Sequence, residues 1–259
     1  MNGGMELATA IFYGEKTLSD KPATNIVYHE IAHQWFGDAV TEKDWDDVWL
    51  SEGFATYFTL LGVEHYQGRD AFVAGLERSR KNIFDLDARL PNFTIQHQNL
   101  ADMKLVLNRL VYEKGAWTLH MLRCQMGDEN FQAGIRDYYQ HYRDSIASTA
   151  DFRHVMEEHS GMKLEAFLTQ WLKRPGMPQV EGNWSYDAAA KKIALELKQL
   201  QPGEPYALPL ELSVDGGPVI SVALTGREQR FEVPAETAPR TVVLDPNVRA
   251  LAALKFGPR

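Results

Sequence analysis

Two histidines four residues apart, His29 and His33, with Glu30 directly after the first, are the side chains in this sequence best suited to chemistry. On a helix, residues four apart share one face, one turn above the other, so both imidazoles could reach a single metal ion. Glu30 is rotated away by one residue, near enough to act on a bound water without taking a ligand position. Catalytic zinc takes three protein ligands and keeps a fourth position for water. A five-residue pattern also arises by chance, so a third ligand decides. Glu52 supplies it, with eighteen residues between it and His33, inside "WDDVWLSEGFATYF". One zinc ion on His29, His33 and Glu52 is the reading this spacing supports. Asp46 and Asp47 lie about one turn before Glu52. Asp47 could accept the second N–H of a ligating histidine, or simply place negative charge at a helix N-terminus. Phe54 and Tyr57, just after the third ligand, belong to an aromatic core run that could also touch a substrate.

These residues need two neighbouring helices to bring them together. "SDKPATNIVYHEIAHQWFG" predicts the first, with Ser19 or Asp20 as N-cap, Pro22 in the first turn and Gly37 as a stop. A second is predicted from Asp46 to about Gln67, joined to the first by the turn-rich "FGDAVTEKDWD". Further helical periodicity runs over 69–86, 105–126, 129–144, 151–159 and 164–173. "STADF" and "EHSG" start and stop the helix at 151–159. Upstream, 1–14 reads as a Gly-rich turn followed by a strand, "ATAIFYG", which looks like the middle of a sheet rather than a domain start. At "KRPGMPQV" two prolines and a glycine end the helical texture. Alternating runs such as "KKIALELKQL", "YALPLELSVD" and "PVISVALTG" then predict strands at sandwich spacing. A domain boundary falls near residue 176.

With a net charge of −8, the chain is a poor partner for phosphate backbones, so nucleic acid is not expected. No run approaches a membrane span in length, and the first residues lack the pattern of a secretory signal. Cys124 is the sole cysteine, so no internal disulfide framework exists. In "LHMLRCQMG" it reads as a buried, inert thiol, compatible with a reducing compartment such as the cytoplasm. His65, His97, His120, His141, His154 and His159 lack partners at ligand spacing. Tyr138, Tyr139 and Tyr142 fit helical packing.

Four segments, "GGMEL" at 3–7, "HEIAHQWFGDAVT" at 29–41, "WLSEGFATYF" at 49–58 and "YEKGAWTLHML" at 112–122, resemble the zinc aminopeptidases of the gluzincin clan, the group that includes aminopeptidase N and leukotriene-epoxide hydrolase. The resemblance implies an α+β fold: a mainly α-helical, thermolysin-like zinc peptidase domain at 1–175, then a small all-β sandwich at 176–259. It implies that Gly3, Gly4, Met5 and Glu6 line the substrate cleft, with Glu6 binding the free α-amine of a peptide. It implies that Tyr112 hydrogen-bonds the developing oxyanion, and that Glu30 is the general base. The family motif usually ends in asparagine where Leu7 stands, so altered affinity or specificity is expected. Relatives also carry a large N-terminal β-domain before this region and often a helical domain after it.

The reaction so implied is hydrolysis of the N-terminal peptide bond of peptides with a free amine. An endopeptidase is disfavoured by Glu6, and an epoxide hydrolase by the β-rich C-terminal part. The alternative from another class is a zinc-containing but inactive fragment serving as a scaffold or subunit. In either case the 8–14 strand is expected to be an edge, open to pairing with a second copy or a partner chain.

Overall fold

The computed structural model describes residues 3–17, 23–97 and 105–259. The chain divides into two compact units, Met1–Pro175 and Gly176–Arg259.

The first unit begins with a two-stranded antiparallel ladder of β1 (Gly4–Met5) and β2 (Phe12–Tyr13), in which Gly4 faces Tyr13 and Met5 faces Phe12. The strand expected over 8–14 is thus only two residues long. Leu7 to Ala10 forms a turn instead, closed by the Ala10 N–H on the Leu7 carbonyl at 2.8 Å, with Thr9 at φ 67°. That left-handed residue cannot continue a ladder.

α1 (Thr24–His33) carries the histidine pair. The caps expected at Ser19, Asp20 and Pro22 lie outside the described residues. After α1 comes β3 (Val40–Glu42), which the sequence reading treated as plain connection. A 3-10 turn, Trp45–Asp47, follows, started by Asp44 Oδ1 accepting the Asp46 N–H at 2.8 Å. That cap delays α2 (Trp49–Gln67), expected from Asp46, by three residues. α2 packs against α1, α3 (Arg69–Asp87) and α4 (Gly115–Met126), so it is apolar on several faces and sits at the centre of the unit.

The helix predicted over 105–126 is split. Asn108 Oδ1 accepts the Leu110 N–H at 2.8 Å, a π-helical turn occupies Leu110–Lys114, and regular α4 follows. α5 (Asp128–Tyr142) leads into β4 (Ser145–Ala147), which pairs in parallel with β3. α6 (Thr149–Ser160) begins with a reciprocal cap: Ser148 Oγ accepts from the Asp151 N–H, and Asp151 Oδ2 accepts from the Ser148 N–H. It ends at Gly161 in the left-handed region, so both predicted signals act as read. α7 (Glu165–Leu168) and a π-helical turn, Thr169–Lys173, complete the unit.

The second unit holds β5 (Gln179–Asp187), β6 (Lys192–Gln199), β7 (Leu208–Val214), β8 (Ile220–Leu224), β9 (Glu228–Pro234), β10 (Val242–Leu244) and β11 (Ala253–Pro258). One sheet has the order β11-β5-β6-β9 and the other β10-β7-β8. All pairings are antiparallel except β11 with β5, which is parallel. Ile193, Leu195 and Leu197 of β6 are buried at every second position, as are Leu208, Leu210 and Leu212 of β7. This alternation is the period-2 signal that made these runs legible as strands. Among the described residues, no helix is long and apolar enough to cross a membrane.

Candidate metal centre

His29 and His33 lie on one face of α1, as helical periodicity requires, and Glu52 comes from the first turn of α2 packed beside it. The three side chains meet. His29 Nε2 is 3.1 Å from His33 Nε2, and Glu52 Oε2 is 3.2 Å from the first and 3.3 Å from the second. Ligand atoms held about 2.0–2.1 Å from a tetrahedral zinc ion lie roughly 3.3–3.4 Å from one another. The observed triangle has that size, and two imidazoles with one carboxylate are a zinc donor set. The residues fit the ion.

The protein prepares these donors. His33 is almost fully buried, and its Nδ1 lies 3.1 Å from the Phe36 carbonyl and 3.2 Å from Ser51 Oγ. Donating Nδ1–H to that carbonyl leaves the Nε2 lone pair free to ligate. Glu52 is buried, which alone would raise its pKa, but its contacts with His29 and His33 outweigh burial and hold it down to about 2. It is therefore a carboxylate, ready to bind a cation. Burial opposes a charge on His33, yet its contact with Glu52 pushes the pKa upward overall.

The loop after α1 is shaped around this histidine. Gly37 has φ 130°, and a Cβ there would stand 2.7 Å from Ser51 Oγ and 3.1 Å from His33 Nδ1. Only glycine combines that backbone with that proximity. The helix stop read from the sequence is also part of the support of the ligand.

Glu30 is buried on the neighbouring face of α1, where burial raises its pKa and the two histidines partly offset the rise. Its carboxyl lies against the backbone of Gly4 in β1. Ligand atoms of Glu6, Glu30 and His33 all fall within 4.8 Å of one another. Gly4 is thus brought against Glu30 and Glu6 beside His33, whereas Met5 is exposed. A Cβ on Gly3 would meet Ile26 of α1 at 3.6 Å. Tyr13, opposite Gly4 in the ladder, feels the Glu30 charge, which adds to burial in raising its own pKa.

Tyr112 sits in the π-helical turn before α4. Its hydroxyl donates to Glu52 Oε1 at 2.8 Å, and its ring stacks 5.9 Å from that of His29. Burial and the adjacent Glu52 push its pKa far above the ordinary phenol value, so it is a neutral hydrogen-bond donor. Two glycines permit this reach. A Cβ on Gly53 would lie 3.0 Å from the backbone of Gly115, and one on Gly115 would lie 3.1 Å from Gly53 Cα. The third ligand is directly before the first glycine, and Tyr112 is three residues before the second. The sequence reading did not single out either glycine; a signal was present in "EGF" and "EKG", beside the two functional residues.

Two open alternatives are decided and one expectation is corrected. Asp47 does not orient a histidine: its Oδ1 accepts from the Thr149 N–H and hydroxyl at 2.9 and 2.7 Å, tying the 3-10 turn to α6. Phe54 and Tyr57 have no exposed surface. Phe54 stacks on Phe36 with ring centroids 4.4 Å apart, so it is core and not a substrate contact. Cys124 is half-buried rather than buried, with Sγ 3.7 Å from His120 Nε2.

Comparison with known proteins gives the family. Residues 1–171 match the model of the peptidase family M1 domain. The chain is 31% identical over 231 residues to probable aminopeptidase 2 of Sulfurisphaera tokodaii, covering 83% of this chain and 29% of that protein. It is 28% identical over 240 residues to rat glutamyl aminopeptidase (Rattus norvegicus), covering 85% of this chain and 25% of the relative. Against rice (Oryza sativa subsp. japonica) aminopeptidase M1-B, identity is 33% over 183 residues, covering 66% of this chain and 20% of the other. The crystal structure of Legionella pneumophila aminopeptidase A in complex with aspartic acid shares the fold, with a TM-score of 0.81 at 20% identity over 98% of this chain and 30% of that one. The chain therefore spans less than a third of the length of these relatives. Its first 171 residues nonetheless match the family domain itself, with ligand geometry to suit, and the chain belongs to peptidase family M1.

Proposed function

We propose that this chain carries the catalytic site of a zinc-dependent aminopeptidase, with residues 1–175 as the catalytic domain and residues 176–259 as a β-rich module after it. The observation that carries the reading is the meeting of two groups at one histidine: His29 and Glu52 beside His33 on one side, Glu6 and Glu30 on the other. The first set suits a divalent cation, and the second suits an attacking water and a substrate amine.

His29, His33 and Glu52 would hold zinc, which when bound polarises the scissile carbonyl and acidifies water. Glu30 takes the proton of the attacking water on its carboxylate as the new C–O bond forms. It then delivers that proton to the nitrogen of the leaving peptide as the C–N bond breaks. Tyr112 donates its O–H to the carbonyl oxygen as negative charge grows there. Glu6 accepts the substrate α-ammonium through a charge-assisted hydrogen bond, which selects a free N-terminus and fixes which bond is presented. Substrates are accordingly peptides with an unblocked amine.

The test measures bound zinc and the turnover of an amino-acyl arylamide beside its N-acetylated form, with and without chelator. One zinc per chain, chelator-sensitive cleavage of the free-amine substrate and no cleavage of the acetylated one are expected. Equal cleavage of both substrates would remove the aminopeptidase reading. Bound zinc without any turnover would favour the scaffold alternative.

A further inference from the structure

The amine-binding role of Glu6 poses a mechanical problem. A carboxylate can select one peptide bond only if its distance from the metal ligands is fixed. Yet Glu6 follows a strand of two residues, and Leu7, Ala8, Thr9 and Ala10 after it are all exposed. The ladder with β2 stops at Met5. Beyond that point the backbone turns back on itself with Thr9 in the left-handed region, a conformation that threonine does not favour. Packing does not hold this turn, so polar contacts must.

Gln34 provides them. It is the residue directly after the ligand His33 and caps the end of α1. Its Oε1 accepts the Thr9 N–H at 3.2 Å. Its Nε2 donates to Asp38 Oδ2 at 2.7 Å and lies 3.5 Å from the carbonyl oxygen of Glu6 itself. The amide is thus used at both ends. Asp38, an acceptor only, fixes which end is which, because it can pair with the NH2 side alone. That leaves the amide oxygen aimed at Thr9. No other side-chain type supplies this pair of functions at this length: glutamate would lose the donor and face Asp38 with like charge, and methionine would match the shape without either bond.

We infer that Gln34 is a positioning residue for substrate selection, clamping the turn that carries Glu6 to the end of the metal-ligand helix. This rests on the aminopeptidase reading and deepens it. The side-chain amide spans from the turn at Glu6–Thr9 to the residue beside His33, so it sets the distance between amine anchor and metal ligands. It also stands in the neighbourhood where Leu7 replaces the family's asparagine.

Gln34→Met tests the clamp. With the zinc-loaded chain and a free-amine arylamide, KM should rise about tenfold, the worth of one to two hydrogen bonds, with kcat changed far less and zinc content unchanged. In a Glu6→Gln background the same substitution should add little, because the clamp acts through Glu6. An unchanged KM, or the same rise in both backgrounds, overturns the inference. A second readout does not need turnover: the Thr9 amide should exchange with deuterium about tenfold faster in Gln34→Met than in wild type. Wild-type chain that binds zinc but cleaves nothing would defeat the aminopeptidase reading, and the exchange rate would then decide the clamp alone. Faster exchange would support it, and equal exchange would sink it. Should Gln34→Met fail to fold, Gln34→Leu removes the amide donor and acceptor together, with the same outcomes expected.

Discussion

The two walls of the site are built by different physics. On one side, Glu52 and Tyr112 come from α2 and the turn before α4, packed so closely that a Cβ on Gly53 would stand 3.0 Å from the Gly115 backbone, and His33 of α1 is 1% exposed. On the other, Glu6 hangs from a two-residue strand and a turn in which Leu7 is 53% exposed. Helices crossing through glycine have few ways to shift, because packed interiors resist sub-ångström change. A turn held by a few hydrogen bonds has more freedom. The difference teaches that the residues proposed to hold the metal and stabilise the oxyanion are fixed by burial, while the proposed amine anchor is fixed by polar ties. Damage to the first wall should therefore appear in kcat and stability, and damage to the second in KM.

Substitutions can break or sharpen that contrast. Glu30→Gln should have the largest effect, lowering kcat about 10³-fold or more with zinc retained, since it removes the proton carrier and no ligand. Normal turnover in that variant would show that the buried wall does not hold the base. Tyr112→Phe should come next, with kcat down about 10²-fold and KM little changed, as for loss of one oxyanion donor. A change confined to KM would move Tyr112 to the substrate-selecting side.

Gly115→Ala tests the packing itself. The added Cβ has backbone rather than a flexible side chain as its neighbour, so the helices must part or the chain must lose about 1–3 kcal/mol. A lower Tm together with a lower kcat is expected. An unchanged Tm would mean that the close crossing carries no structural demand. Leu7→Asn should have the smallest effect: the position is exposed, so stability should stay within about 0.5 kcal/mol of wild type. Any change in KM there would be read against that of Gln34→Met, and a larger one would give Leu7, not Gln34, control of the turn.

Much of this was legible in the sequence because it depends on local period. The i, i+4 spacing of His29 and His33 places them on one helical face in any fold, and the capping signals around 148 and 161 act through neighbours three residues away. The alternation in "KKIALELKQ" likewise forces one buried face. Where the sequence reading failed, the competing interaction was distant or irregular. The 8–14 strand collapsed to two residues because Thr9 turns the chain, an effect that alternation of side chains does not report. The strand β3 went unseen because its partner, β4, lies about a hundred residues away. Of the two roles offered to Asp47, the histidine contact is not made; it stands in the acidic turn before α2 and is held by Thr149, which only the packing of α6 makes available.

Side-chain chemistry and spacing were enough to name His29, His33 and Glu52 as a candidate donor set and Glu30 as the proposed proton carrier, since helix geometry follows from the backbone alone. The tertiary structure decided how far apart those donors stand, which carbonyl fixes the His33 tautomer, and how Tyr112 reaches Glu52. It also decided what holds Glu6 in place. Those are distances between elements, set by glycine contacts and by hydrogen bonds across the fold, and no periodicity within one element encodes them.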